Sequence, residues 1–239
     1  MRPRHIAIAA LFTALLTACS GSEGETIEFA ETVDRVVATT GNGLISIAGD
    51  INATSTEVGT VASFSGDEPA TSVTLEAGVL TIDDGCGGRD DCEVEIRVSL
   101  PATVDVAVTA DGGSVVISNT IGIVEVTTVS GAISLNGIEG DLRMIETTSG
   151  SILGARLEAS QAVVVGGTST VDLTFDEPVD RVTVTTTSGD ATVQVAGEPY
   201  NIVATSESGA IDIVIDEDPG SSGTIEVTTG SGDIKVYRK

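Results

Sequence analysis

From residue 104 onward the chain repeats one pattern: an alternating run, a Thr/Ser-Gly corner, and a second alternating run. The corner glycines Gly113, Gly131, Gly150, Gly189, Gly209 and Gly232 stand 18, 19, 39, 20 and 23 residues apart, and the gap of 39 holds a degraded copy, QAVVVGGTSTVDLTF, around Gly166 and Gly167. Seven coils of about 20 residues result, the length at which repeats build solenoids. Within each run apolar and polar residues alternate, as in Ile123-Val124-Glu125-Val126-Thr127. A period of two means extended strands with one buried face. One coil cannot bury that face alone. Stacked coils, each strand pairing with its equivalents above and below, make a continuous core, so the repeat predicts an all-β, parallel β-solenoid. Glycine at the corners suits a sharp turn with positive φ.

The register follows from the same alternation. Ile133, Ile152, Ile211 and Ile234, with Ala191 in its own coil, take equivalent inward positions just past the corner, and Asp212 points to water. Aromatics are 3% of the chain and Trp is absent, so the core has to be aliphatic. The paired threonines Thr127-Thr128, Thr147-Thr148 and Thr228-Thr229 suit strands that half-face water, with hydroxyl ladders along the outer face. An antiparallel sandwich is the competing architecture, but its hairpins need turn signals every 8–12 residues or so. Here the similarity recurs at twice that interval.

Residues 27–103 read as an N-terminal cap and first coil, in one domain with the regular coils of 104–239. Asp34 to Ile47 repeats the pattern, whereas the longer, irregular strands that follow suit an end that blunts an exposed edge. Lys235, Arg238 and Lys239 would protect the edge at the opposite end.

Residues 1–18 read as a lipoprotein signal peptide: Arg2 and Arg4 precede an apolar stretch from Ile6 to Leu16, too short to span a membrane. Leu16-Thr17-Ala18-Cys19 resembles the bacterial lipobox, which implies that Cys19 becomes the lipid-modified N-terminus. Residues 19–26, rich in Ser, Gly and Glu, form a flexible tether. Ser20 after the cysteine favours an outer-membrane or cell-surface address over the inner membrane.

The formal charge of −25 becomes −27 without residues 1–18, which carry two arginines and no acid. Such a surface repels nucleic acid. The single histidine, His5, also lies in that leader, so residues 19–239 hold no histidine for a Ser-His-Asp triad, a Cys-His pair or a histidine metal site. Cys86 and Cys92 flank a polar loop and are expected to form a local disulfide, as nearby cysteines do outside the cytoplasm. Asp83, Asp84, Asp90 and Asp91 around that loop are weak calcium candidates, as is Asp216-Glu217-Asp218, but neither cluster has a recognisable calcium-loop order. No cofactor is expected.

Leu80-Thr81-Ile82, Ile96-Arg97-Val98-Ser99-Leu100-Pro101 and the repeated Thr-x-Ser-Gly corners together resemble the bacterial "putative adhesin" β-strand-repeat family, relatives of the head-GIN domain. The resemblance spans roughly residues 30–239. It implies a solenoid-like β fold on exported or membrane-attached proteins and supplies no catalytic residues; the Cys86–Cys92 loop departs from it. The reading is a lipid-anchored, extracytoplasmic surface-binding or structural module, not an enzyme, with the membrane as one partner and a surface protein or glycan as the other. The alternative is a carbohydrate-active enzyme, a polysaccharide lyase or hydrolase. It would use Asp190, Asp212, Asp233 and Asp172 with Arg97, Arg143, Arg156, Arg181 or Lys235.

Overall fold

The computed structural model describes residues 22–197 and 199–239. The N-terminal part contains β1 (Ser22–Phe29), β2 (Arg35–Thr40), β3 (Ile45–Asp50), β4 (Thr56–Phe64), β5 (Ser72–Glu76), β6 (Val79–Asp83) and β7 (Cys92–Pro101). Strand pairs follow, one pair per coil: β8 (Asp105–Ala110) with β9 (Val115–Thr120), β10 (Val124–Thr128) with β11 (Ile133–Ile138), and β12 (Leu142–Ser149) with β13 (Ile152–Leu157). The last four pairs are β14 (Gln161–Thr168) with β15 (Val171–Phe175), β16 (Arg181–Ser188) with β17 (Ala191–Val195), β18 (Asn201–Ser208) with β19 (Ile211–Val214), and β20 (Thr224–Ser231) with β21 (Ile234–Arg238).

The first strand of each coil joins a ten-stranded sheet and the second joins an eleven-stranded sheet. Within the stack every pairing is parallel; the antiparallel pairs β1–β4, β4–β7 and β5–β6 sit at one end. The aliphatic core lies between the sheets. In the eleven-stranded sheet Ile45, Val115, Ile133, Ile152, Val171, Ala191 and Ile234 form one row in register, each no more than 1% exposed. Period two in the sequence thus becomes a continuous seam in space.

The corners match the expectation in part. Gly150, Gly189 and Gly232 have a positive φ, whereas Gly113 and Gly131 do not. Close approach requires the glycine at all of them: a Cβ on Gly131 would fall on the carbonyl oxygen of Gly113, and one on Gly113 on that of Gly43. In the degraded copy the corner residue is Ser169, on whose carbonyl Gly189 stacks, not Gly166 or Gly167. The threonine ladder is also inside. Thr40, Thr128, Thr147, Thr186 and Thr229 are buried at the strand ends, in a row completed by Ala110, Gly166 and Ser206. Thr128 and Thr147 hydrogen-bond to each other (2.8 Å), and Thr186 and Thr229 donate to the Gly189 carbonyl (3.4 and 3.3 Å). These hydroxyls meet carbonyls that the turn leaves without a sheet partner, which offsets the cost of burying them.

At both ends the coils are out of chain order. The pair β6/β7 is itself a coil and lies outside β2/β3, so residues 22–103 hold two coils plus a cap of β1, β4 and β5, and residues 22–26, expected as tether, belong to β1 and pair with β4. At the other end the final coil, β20/β21, is inserted between β16/β17 and β18/β19. Lys235 therefore sits between Thr192 and Asp212, and the C-terminal cations do not guard an edge. Tyr200 holds the connection that skips a level. Its buried hydroxyl donates to the Ala196 carbonyl (2.6 Å) and accepts the Val179 N–H (3.2 Å).

The inversion moves one residue of the predicted seam. Ile211 keeps its register with Ile234 but belongs to the last strand of its sheet and is 44% exposed. Ile133→Asp should cost roughly 3–5 kcal/mol by placing an unpaired charge in a dry core, whereas Ile211→Asp should cost about 1 kcal/mol. Urea unfolding of the two variants checks this; equal losses would contradict the inserted coil.

Candidate functional site: the disulfide loop, the corner carboxylates and the open end

The loop between β6 and β7 is closed by a Cys86–Cys92 disulfide with a Cα–Cα separation of 5.7 Å. Arg89 lies across it, donating to the carbonyls of Cys86 (3.2 Å) and Asp67 (2.8 Å). Asp84 turns inward and is 5% exposed. One carboxylate oxygen accepts the Thr40 hydroxyl (3.0 Å) and the Gly41 N–H (2.6 Å); the other accepts the Cys86 N–H (2.9 Å). It ties the loop to the corner of the neighbouring coil. Asp83 accepts the Gly85 N–H (2.9 Å), and Asp90 and Asp91 are exposed. The four aspartates therefore do not converge, and among the described residues no group of three or more His, Cys, Asp or Glu is placed to hold a metal ion.

The corner carboxylates act on the backbone. Asp190 accepts the Asp233 N–H (2.8 Å), and Asp233 accepts the Ala210 N–H (2.8 Å), one coil capping the next. Asp105 and Asp141 do the same at the opposite corners, for Ile123 (2.9 Å) and Gln161 (3.1 Å). Asp172 and Asp212 instead lie on the outer face of the eleven-stranded sheet, with Thr192 and Lys235 between them. Several arginines are engaged with other partners. Arg97 pairs with Glu95 (2.6 Å), Arg35 and Arg143 flank Glu125 (2.6 and 3.7 Å), and Arg156 donates to Asn136 (2.8 Å). Phe175 and Tyr200 are core residues, and Phe29 and Phe64 pack partly buried against the core. Of the residues put forward for glycan cleavage, Asp190 and Asp233 cap coils at one corner, Asp172, Asp212 and Lys235 lie on the outer face of the eleven-stranded sheet, and Arg143 and Arg181 belong to the ten-stranded sheet.

Two shallow concave features lie near the capped end. One hollow of about 240 Å³ is lined by residues of 30–34, 54–56 and 101–104, and a groove of about 520 Å³ lies over β1, β4, β7 and β3. The opposite end is open. β18 and β19 are the last strands of their sheets, with Ile202, Ala204, Ile213 and Ile215 partly buried there and Val203 and Val214 exposed.

The family model described as Toastrack DUF4097 matches residues 30–238. The chain belongs to the Toastrack DUF4097 family. The matched span takes in both out-of-order coils and the disulfide loop. Among solved structures, a putative cell adhesion protein from Clostridium sporogenes is 15% identical, covering 91% of this chain and 100% of its own, with a TM-score of 0.37. A putative adhesin from Parabacteroides distasonis is 9% identical, covering 89% and 97%, with a TM-score of 0.48. A putative lipid binding protein from the same species is 11% identical, covering 90% and 96%, with a TM-score of 0.37. No curated protein matches the chain.

The inward carboxylate of this Toastrack chain is a sharp test of the loop's role. Asp84→Asn should cost about 1–3 kcal/mol, because an amide cannot accept at both oxygen positions. Removing both cysteines should cost roughly 2–3 kcal/mol. Unchanged urea midpoints in both variants would show that the loop is no clamp. Burial raises the Tyr200 phenol pKa above 10.0, with the Asp180 charge adding to the rise and the Val179 N–H opposing it. The native state then holds the proton more tightly than the unfolded chain. Tyr200 therefore contributes stability that is complete below the unfolded value of 10.0 and lost as pH rises through the folded one. Tyr200→Phe should flatten that alkaline fall in unfolding curves.

Proposed function

We propose that this Toastrack chain is a lipid-anchored, extracytoplasmic surface-binding module of adhesin type, tethered through Cys19 to the cell envelope with the outer membrane or cell surface as its address. Cys19 lies outside the described residues. The observation that carries the reading is polarity: β1, which begins at Ser22, is the outermost strand at one end of the eleven-stranded sheet, and β19 is the outermost at the other. Ten strand steps of roughly 4.8 Å separate them, about 48 Å. A lipid on Cys19 would hold the capped end against the membrane and present the open end and the two outer faces to a surface protein or glycan. Stable anchoring takes more than one acyl chain. Display over catalysis is favoured by the rim carboxylates of Asp105, Asp141, Asp190 and Asp233, which cap neighbouring coils.

Cys19→Ala should shift the protein from the detergent phase to the aqueous phase in phase partitioning; unchanged partitioning would remove the anchor. Beads carrying the chain by its N-terminus should adhere to isolated cell envelopes, and beads carrying it by the C-terminal end should not. Adhesion in neither orientation would contradict the binding reading.

A further inference from the structure

The open end carries a free strand edge whose geometry and charge specify what it accepts. Asn201 donates its N–H to Gly223, toward the β20 side. Strand alternation then puts the main-chain groups of Ile202, Ala204 and Ser206 on the free side of β18. The chain has already begun to use that side. Glu217 forms a parallel bridge with Tyr200, and the Asp218 N–H donates to the Tyr200 carbonyl (2.9 Å). The added strand stops there. Among the described residues nothing else pairs with that edge, and β18 carries no proline, no bulge and no inward charge to discourage pairing. The capped end, by contrast, is finished by the antiparallel strands β1, β4 and β5.

Charge selects the occupant. Residues 200–223 contain five carboxylates and no lysine or arginine; Lys235 lies beside Asp212 and Arg238 reaches Asp216 (3.9 Å), which leaves Glu207, Glu217 and Asp218 nearest the free edge. Glu217 and Asp218 stand at the start of the free edge and Glu207 near its finish, all exposed, while Val203 and Thr205 face outward between them. A second copy would bring its own carboxylates onto these, whether by its open end or by β1 with Glu25 and Glu28. We propose that the free edge of β18 binds an extended segment of a basic partner protein by strand addition, with lysine or arginine alternating with aliphatic residues. The aliphatic side chains continue the seam over Ile202 and Ala204, and the basic ones lie on the outer face within reach of Glu207, Glu217 and Asp218. Main-chain hydrogen bonds supply affinity and the alternate side chains supply selectivity. The proposal rests on the reading of the chain as a binding module and names its partner.

The test uses the full-length chain and a labelled peptide of about seven residues alternating lysine and valine, followed by fluorescence anisotropy. Binding is expected, weakening as salt rises. A glutamate–valine peptide should not bind. N-methylation of alternate residues keeps the charge but removes the edge-facing N–H groups, and should weaken binding about tenfold or more. Ala204→Pro, which removes a free-side N–H and leaves the β20 pairing in place, should do the same, with the unfolding midpoint confirming that the variant is folded. Equal binding of the N-methylated peptide, or no binding of either, overturns the proposal. So does self-association of the chain in sedimentation that Ala204→Pro abolishes. Loss of peptide binding with envelope adhesion intact would leave the surface-binding reading standing on another face; the reverse pattern would sink that reading and keep this one.

Discussion

Everything in this fold depends on one coil lying directly on the next at strand spacing, about 4.8 Å. At that distance a side chain on Gly113 or Gly131 would fall on the carbonyl of the neighbouring coil, and Ser169 is the one corner of the regular coils that carries a side chain. The same closeness brings the threonine hydroxyls of adjacent coils within bonding range, so the polar groups freed by the turn are met by the neighbour rather than by water. Aspartates at the rims complete the account by accepting the next coil's N–H. The corner thus converts a local turn into a vertical joint, and the aliphatic rows between the corners follow its register.

A joint that repeats so closely makes neighbouring coils interchangeable. Arg181 pairs with Thr224, and Thr224 in turn with Asn201, so β18 and β20 present the same register to whatever lies beneath them. The final coil can occupy the inner level because its edge matches β16 as well as β18 would. What distinguishes the two arrangements lies outside the repeat, in Tyr200 clasping Ala196 and Val179 and in the longer return through residues 215–223. The consequence for function is an end whose last strands were never shaped as a cap, opposite an end that was.

Much of this was legible in the chain itself. Alternation, corner glycines and the Leu80–Pro101 region were enough to expect an aliphatic solenoid of the family to which the chain belongs, and Cys86 and Cys92 stood close enough to pair. The candidate sites were less legible. Asp84 and Asp90 look alike in sequence, yet one is drawn inside by three donors and the other faces water, because only Asp84 meets the corner at Thr40 and Gly41. The threonine pairs also misled: which member of Thr127-Thr128 faces the core depends on where the strand ends, and period two alone does not say.

By itself the sequence determined strand periodicity, coil length, core composition and the need for glycine at the corners, since these are set by residues near one another in the chain. The tertiary structure alone decided the order of the coils, the burial of the threonine ladder and the exposure of Ile211. Those depend on which of several equivalent edges a coil meets. Equal registers give equal local pairing, so the choice falls to the connections and the packing around Tyr200.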